Sequence, residues 1–192
     1  MKKYITALVV TLMLAGTAIG KDKDAKAAAA KRQVASQNTT IIAGESIGAL
    51  RLGMGMDEVQ SMLGKPTSWK YLPQGGKSVS EASSWYYVDL NLEVFFSSGA
   101  TPMVTAIRTA GWPHKRIKSG NFAWKDIDPV KVKFQTTNGI TIGSSAFDVK
   151  RAYSDYAWHG QQGQFMDYAS LGLLFDITSD HIVYGISVSK PQ

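Results

Sequence analysis

One stretch of sixteen residues occurs twice in this chain, and that duplication constrains the fold more than any other feature. Residues 48–63 return ninety positions later as residues 138–153, and the glycine at Gly53 is matched by Gly143. Two related units indicate a duplicated module, because a solenoid needs at least three stacked repeats to bury its core.

Strand-like segments follow each copy and extend the duplication. The pattern at residues 87–96 returns at 168–177, and the pattern at 103–109 returns at 182–188. The offset falls from ninety to eighty-one, so the second copy has a shorter middle loop, whereas the first holds a long loop over residues 65–84. We predict an α+β fold of two tandem repeats, each a short helical segment packed on a small antiparallel β-sheet.

Each copy opens with a helix signal. Asp57 and Glu58 stand where the first turn of a helix favours negative charge, and Gly64 ends the apolar helical spacing that follows. In the second copy the corresponding start is Ser144 or Ser145, since serine is a preferred N-cap residue.

The segment from Trp85 to Phe96 has the clearest strand pattern in the chain, and we predict one continuous strand. Alternation places one set of residues toward the core: Tyr86, Val88, Leu90, Leu92, Val94 and Phe96. The opposite face mixes aromatic and charged side chains, which suits contact with a partner protein. From it we predict five partner-binding residues: Trp85, Tyr87, Asp89, Glu93 and Phe95.

The first twenty residues have the features of an export signal. Lys2 and Lys3 precede an apolar run over residues 5–14. Small residues follow, so we expect cleavage after Ala18 or Gly20. The run is shorter than the about twenty apolar residues of a membrane-spanning helix, and we therefore expect a periplasmic or secreted protein.

Composition divides the remaining chain. A stretch rich in Ala, Lys, Asp and Gln follows the signal and indicates a flexible tether, and a segment with several basic residues separates the two copies. The predicted parts are a signal peptide at residues 1–20, a tether at 21–43, repeat unit 1 at 44–110, a linker at 111–135 and repeat unit 2 at 136–192.

Charge and cysteine content exclude several classes of partner and chemistry. The net charge of +6 falls to +4 without the signal, which holds two lysines and no acidic residue. That mild excess falls short of the clustered basic face of nucleic-acid-binding proteins. Because the chain has no cysteine, it has no disulfide-linked partner, no thiol nucleophile and no acylated cysteine anchor.

The sequence lacks the spacings that mark common catalytic and metal sites. Ser144 and Ser145 lie in Gly-Ser-Ser-Ala, without the second glycine of a nucleophile elbow. His114, His159 and His181 are scattered, without the H-x-x-x-H spacing of a zinc site. We therefore expect a protein that is not an enzyme and uses no cofactor or metal.

The motif G-x-x-x-G-M-x-x-x-E-V-x-x-x-L-G-x-P connects the chain with a known group. It is carried by Gly48 or Ala49, Gly53, Met54, Glu58, Val59, Leu63, Gly64 and Pro66. Here the chain resembles the β-lactamase inhibitor protein superfamily, which includes tandem inhibitor proteins and the SmpA/OmlA outer-membrane assembly lipoproteins. The resemblance covers approximately residues 44–110 and 136–190. It implies helices packed on one face of an antiparallel sheet, and in tandem members a concave opposite face that grips a partner protein.

The chain departs from that group at three points. Copy two has Ser144 in place of Met54 and lacks the Gly-x-Pro helix stop. The absence of cysteine also removes the lipid anchor of the assembly lipoproteins and the disulfides of the inhibitors.

From these observations we expect an exported, non-enzymatic module that binds another envelope or secreted protein through its aromatic sheet face. The sequence leaves open whether a partner or the 65–84 loop covers those aromatic residues. The alternative function is an envelope structural or outer-membrane assembly factor acting at the membrane surface. In that case a cluster of aromatic and basic residues in the linker would contact lipid or cell wall weakly. The other interpretation is that this cluster is part of a solvated linker without a partner. The residues of this cluster are Trp112, Lys115, Arg116 and Lys118.

Overall fold

The computed structural model has a mixed α+β fold that is mostly sheet. It describes residues 30, 37–71, 82–111, 123–154, 157–159 and 165–192. The predicted export signal and most of the predicted tether lie outside these ranges. Within them are two α-helices, α1 (Met56–Leu63) and α2 (Ala146–Ala152), and twelve strands.

The helix α1 begins and ends as the sequence predicts. Asp57 and Glu58 lie in its first turn. The Glu58 carboxylate accepts a hydrogen bond from the Gly55 backbone N–H at 2.7 Å, which satisfies one of the donors left over at a helix start. Gly64 ends the helix with φ of +73°, a conformation that glycine adopts without steric cost.

The helix α2 is capped by Ser145, one of the two predicted serines. Its hydroxyl oxygen accepts a hydrogen bond from the Asp148 N–H at 3.1 Å, and the Asp148 carboxylate accepts one from the Ser145 N–H at 3.3 Å. The reciprocal pair forms a capping box.

The twelve strands form two sheets. They are β1 (Thr40–Ile42), β2 (Ser46–Ile47), β3 (Leu50–Arg51), β4 (Ser68–Tyr71), β5 (Ala82–Tyr87), β6 (Leu92–Phe96), β7 (Val104–Ala110), β8 (Gln135–Thr136), β9 (Ala157–His159), β10 (Phe165–Tyr168), β11 (Leu173–Ile177) and β12 (Val183–Ser189). The small sheet has the order β3-β2-β1-β8, with β1 and β8 parallel. The large sheet is antiparallel and has the order β4-β5-β6-β7-β12-β11-β10-β9.

The same series of elements occurs twice along the chain. The series is a helix, two strands, a 3₁₀ turn and two strands; it runs from α1 to β7 and again from α2 to β12. The last strands of the two series, β7 and β12, pair at the centre of the large sheet. The sheet is therefore continuous from one series to the other.

The predicted single strand from Trp85 to Phe96 is two strands, which corrects the predicted faces. A 3₁₀ turn at Val88–Leu90 and a left-handed residue, Asn91, interrupt the alternation. The register after the turn pairs Trp85 with Val94 in β6, so both point to the same side of the sheet.

That side is the core. Trp85 is 1% exposed and Tyr87 is 0% exposed, beside Val94 at 0%. The prediction that Trp85 and Tyr87 lie on the face opposite the core is wrong. Because the turn interrupts the alternation, Trp85 and Tyr87 of β5 share the core face with Val94 and Leu92 of β6. The corresponding turn in the second series is Ala169–Leu171, followed by left-handed Gly172.

Two predicted boundaries also move. Ile41 in β1 is fully buried, so the tether predicted over residues 21–43 ends before this strand. At the end of the linker predicted over 111–135, Phe134 is 1% exposed and belongs to the core. Apolar side chains that the sequence assigned to connecting segments thus join the small sheet to the large one.

One hydrophobic core runs through the described part of the molecule. Val59 and Leu63 of α1 and Val149 of α2 belong to the same buried cluster as Ile107 and Ile186 of the central strands. Both helices therefore pack on the same face of the large sheet. Within the described ranges, no helix is long and apolar enough to cross a membrane.

Candidate functional site

The candidate site is the face of the large sheet that points away from the core, which we call the outer face. Residues directly opposite one another in neighbouring strands share a face, so one row crosses six strands from β5 to β10: Tyr86, Glu93, Arg108, Ser187, Leu174 and Asp167. A second row includes Phe95, Ala106 and Ser189.

Arg108 lies at the middle of the outer face and holds two acidic side chains. Its Nε is 2.9 Å and its Nη2 is 2.8 Å from Oδ2 of Asp176. Its Nη1 is 3.9 Å from Oε2 of Glu93. The Glu93 side chain is only 5% exposed. The neighbouring Arg108 cation offsets the cost of burying its carboxylate.

The Arg108 contact with Asp176 crosses the strand between them. Arg108 is in β7, Asp176 is in β11, and Gly185 in β12 lies opposite Asp176. A Cβ at position 185 would collide with Asp176 Oδ2 and would lie 3.2 Å from Arg108 Nη2. Glycine is therefore the residue that lets the two charged groups meet over the strand.

Aromatic rings extend this centre in both directions. The Arg108 guanidinium carbon lies 5.8 Å from the centre of the Tyr184 ring, and the Lys70 ammonium lies 4.9 Å from the centre of the Tyr86 ring. Both distances are within the range of cation–π attraction. Lys70, Tyr86, Arg108 and Tyr184 thus form one connected network with the two acids.

The electrostatics of the network favour the charged forms of its cations. Burial opposes the charge of Arg108, but the Coulombic attraction and hydrogen bonds of Asp176 raise its pKa above the ordinary value. The hydrogen bond with Tyr86 raises the pKa of Lys70. Burial, followed by the hydrogen bond with Glu93, raises the pKa of Tyr86, so this phenol stays neutral at physiological pH.

At the central seam, which is the junction of β7 and β12, small side chains lie beside Arg108. Ala106 in β7 and Ser187 in β12 flank the junction of the two central strands. Phe95 in β6 and Leu174 in β11 stand one strand further out, and both are half-buried. Phe95 and Leu174 therefore add apolar surface on the two sides of the seam.

The two predicted anchors are structural residues. The Trp85 ring packs edge-on against Phe96 with 4.8 Å between ring centres. The Tyr87 hydroxyl donates a hydrogen bond to the Gly64 carbonyl at the end of α1, at 3.1 Å. Since both side chains are buried, they stabilise the fold and do not reach a partner.

The other three predicted contact residues are separated. Asp89 lies in the 3₁₀ turn, where its carboxylate is 3.4 Å from Lys131 Nζ and both side chains are 60% exposed. Glu93 and Phe95 lie on the outer face, Glu93 buried beside Arg108 and Phe95 half-buried. Of the five predicted contact residues, only Glu93 and Phe95 lie on the outer face of the sheet.

Sequence reasoning missed Tyr86, Arg108, Asp176 and Tyr184. A usable signal was present, since Arg108 and Asp176 each interrupt an apolar strand near the end of one copy and carry opposite charges. A charged residue flanked by apolar neighbours in a strand points to the opposite face. The pairing of β7 with β12 and of β12 with β11, which brings the two residues together, cannot be predicted from the residues adjacent to them in the sequence.

Other candidate residues have simpler roles or lie elsewhere. The linker cluster of Trp112, Lys115, Arg116 and Lys118 lies outside the described residues. The Ser145 hydroxyl is 2.7 Å from Asp148 Oδ2 and caps α2.

A metal site needs several acidic, histidine or cysteine side chains that converge on one point. In the described part of the chain, no group of three or more such side chains is arranged to hold a metal ion. No family model matches the chain, and no curated protein or solved structure matches it significantly.

Proposed function

We propose that this chain is an exported, non-enzymatic binding module built from two tandem repeats, and that its outer face recognises another protein of the envelope or secreted fraction. Matched contacts support the duplication. The Tyr87 hydroxyl donates to the carbonyl of Gly64 after α1, and the Tyr168 hydroxyl donates to the carbonyl of Tyr153 after α2, at 3.1 and 3.0 Å. The equivalent left-handed positions are Asn91 and Gly172.

The observation that carries the proposal is the paired charge network at the centre of the outer face. Arg108 is held by Asp176 and Glu93, and its side chain is 19% exposed. A partner that covers it meets charges that are already paired, since the two cations Arg108 and Lys70 face two carboxylates, so the cost of removing water is reduced. Arginine beside aromatic rings is also the composition typical of binding hot spots.

The surroundings of the network supply contact area on a rigid support. Tyr184, Phe95 and Leu174 are half-buried on paired strands, so little side-chain freedom remains to be lost on binding. This arrangement favours protein recognition by a fixed sheet face, as the resemblance to tandem inhibitor proteins implies for their concave face.

Site-specific photo-cross-linking tests this proposal. We would replace Phe95 or Leu174 with the photoreactive residue p-benzoylphenylalanine, express the chain in its native host and irradiate intact cells. The matched control is the same residue at Ile42, which is 40% exposed in β1 of the small sheet. We expect one adduct of defined mass from positions 95 and 174 that is absent at position 42.

A second measurement establishes that the adduct reports specific recognition. With the partner purified, Arg108→Ala should weaken binding at least about tenfold, and circular dichroism would verify that the variant is folded. Equal adducts from positions 42, 95 and 174 would contradict the proposal. Lipid or wall material in place of a protein adduct would favour the alternative role as an envelope assembly factor.

A further inference from the structure

Helix α2 carries an unusually exposed aromatic residue. Phe147 is 70% exposed, whereas the other exposed large apolar side chains in the described ranges are 40 or 41% exposed. Water around an apolar ring is unfavourable, so burial of this ring against a partner would be favourable. Phe147 is far from the outer face in the fold, because α2 packs on the core side of the large sheet.

Helix α1 of the first repeat shows which side chains the fold requires on the exposed side of such a helix. The three exposed residues of α2 differ from their counterparts ninety positions earlier in α1: Phe147, Lys150 and Arg151 stand where α1 has Asp57, Gln60 and Ser61. All six are exposed. A small polar or acidic side chain serves the packed helix equally well, so packing does not explain the aromatic and basic residues of α2.

The two helices carry opposite charge. Asp57 and Glu58 give α1 a net charge of −2, whereas Lys150 and Arg151 outweigh Asp148 and give α2 a net charge of +1. The Arg151 guanidinium lies 2.8 Å from Asp148 and 5.8 Å from the Phe147 ring centre. Arg151 thus borders the exposed ring, and Lys150 lies three residues after Phe147, on the same side of the helix.

A complementary receptor lies beside α1. An open cavity of about 550 Å³ is lined by Gly55, Asp57, Glu58, Gly99, Pro102 and Met103, among others. The Met103 side chain is 41% exposed, and a thioether is a favourable neighbour for an aromatic ring. The cavity combines apolar surface with two carboxylates, which matches a phenyl ring with two cations on the same side of its helix.

We propose that two copies of this chain form a twofold dimer in which α2 of each copy docks into the α1 cavity of the other. Both surfaces are present on one chain, so a twofold axis forms the contact twice and closes the assembly. The docked Phe147 ring lies against Met103, and Lys150 and Arg151 lie against Asp57. This surface is separate from the outer face, and the inference does not depend on the proposed function.

Sedimentation velocity of residues 21–192 tests the dimer. We expect the sedimentation coefficient to rise from monomer to dimer between about 1 and 100 μM. Phe147→Asp, which installs the residue of α1, should raise the dissociation constant about tenfold or more. Ile42→Asp in the small sheet, at a position that is also exposed, is the matched control and should leave the dissociation constant unchanged.

A reciprocal charge reversal separates specific docking from damage to the fold. Lys150→Glu with Arg151→Glu should prevent self-association, and so should Asp57→Lys. When the two variants are mixed, each reversed helix meets an opposite charge, and we expect a heterodimer to form.

Three results would overturn the inference. They are a wild-type chain that remains monomeric at 100 μM, a dimer that Phe147→Asp does not weaken, and a mixture of the reversed variants that stays monomeric. In the first case binding of anionic vesicles or of a different acidic protein would identify the actual occupant of the α2 surface.

Discussion

Gly185 sets the geometry of the outer face, since any side chain there would occupy the place where Arg108 and Asp176 meet. A Cβ would collide with the Asp176 carboxylate and crowd the Arg108 guanidinium. We predict that Gly185→Ala lowers the free energy of unfolding by about 2 kcal/mol, because overpacking forces neighbours from their positions. Urea denaturation followed by circular dichroism measures the change.

Ser187→Ala is the control for Gly185→Ala. Ser187 is in the same strand and on the same face, and it is half-buried. Removal of its hydroxyl should change the free energy of unfolding by less than about 0.5 kcal/mol. Equal losses of stability in the two variants would contradict the prediction, because they would show that Asp176 and Arg108 move aside from the new Cβ at no cost in free energy.

Arg108 and Asp176 should be energetically coupled. Their side chains are 19 and 16% exposed, so water screens the pair only in part. We predict a coupling free energy of about 1 to 3 kcal/mol in a double-mutant cycle of Arg108→Met and Asp176→Asn. Arg108→Met alone should be the most destabilising of the variants, because it leaves Glu93 as well as Asp176 without its cation. Additive losses would contradict this assignment.

At the scale of elements, the 3₁₀ turn before β11 depends on a glycine. Gly172 has φ of +66°, and a Cβ there would collide with the Ser189 carbonyl and approach Gly44 Cα at 3.1 Å. We predict that Gly172→Ala costs about 3 kcal/mol, from backbone strain and overpacking together. Gly53→Ala is the matched control, since Gly53 has φ of +84° with no atom within 4 Å of the new Cβ. It should cost only the strain, about 1 kcal/mol.

The start of α2 should make stability depend on pH. Hydrogen bonds from the Ser145 side chain and backbone lower the pKa of Asp148. A lowered folded-state pKa contributes stability above the ordinary value of about 3.9, and this contribution is lost as the pH falls through the folded value. We predict that the difference in Tm between wild type and Asp148→Asn is constant from about pH 5 to 7 and closes below about pH 4. A difference that persists unchanged at low pH would contradict the prediction.

Local signals in the sequence predicted the helices well but failed at the strand faces. Ser145 and Gly64 act on their own helix ends, so their roles are readable from neighbouring residues. Trp85 and Tyr87 were assigned to the wrong side because Asn91 takes a left-handed conformation that non-glycine residues seldom adopt. An alternating pattern through residues 85–96 hides this turn.

At the scale of the whole molecule, the pairing of β7 with β12 determines what the sequence could not predict. It joins Arg108 to an acid 68 residues away, and no pattern of nearby residues specifies that distance. A second long-range pairing accounts for the burial of Ile41 and Phe134. The strands β1 and β8 pair in parallel although most of the first repeat lies between them in the sequence. Long-range strand pairing therefore builds both the candidate site and the continuous core.

A continuous core makes the two series of elements unfold together. Trp85 from the first series and Phe175 from the second are 1 and 0% exposed and belong to one buried cluster. We predict that Trp85→Ala and Phe175→Ala each cost about 3 to 5 kcal/mol, and that each lowers the midpoint of one common transition seen by both tryptophan fluorescence and far-ultraviolet circular dichroism. Because β7 and β12 pair directly, loss of packing in either half exposes the edge of the other. If Phe175→Ala instead separated the two signals into distinct transitions, the halves would be independent folding units and the seam would be only a contact between them.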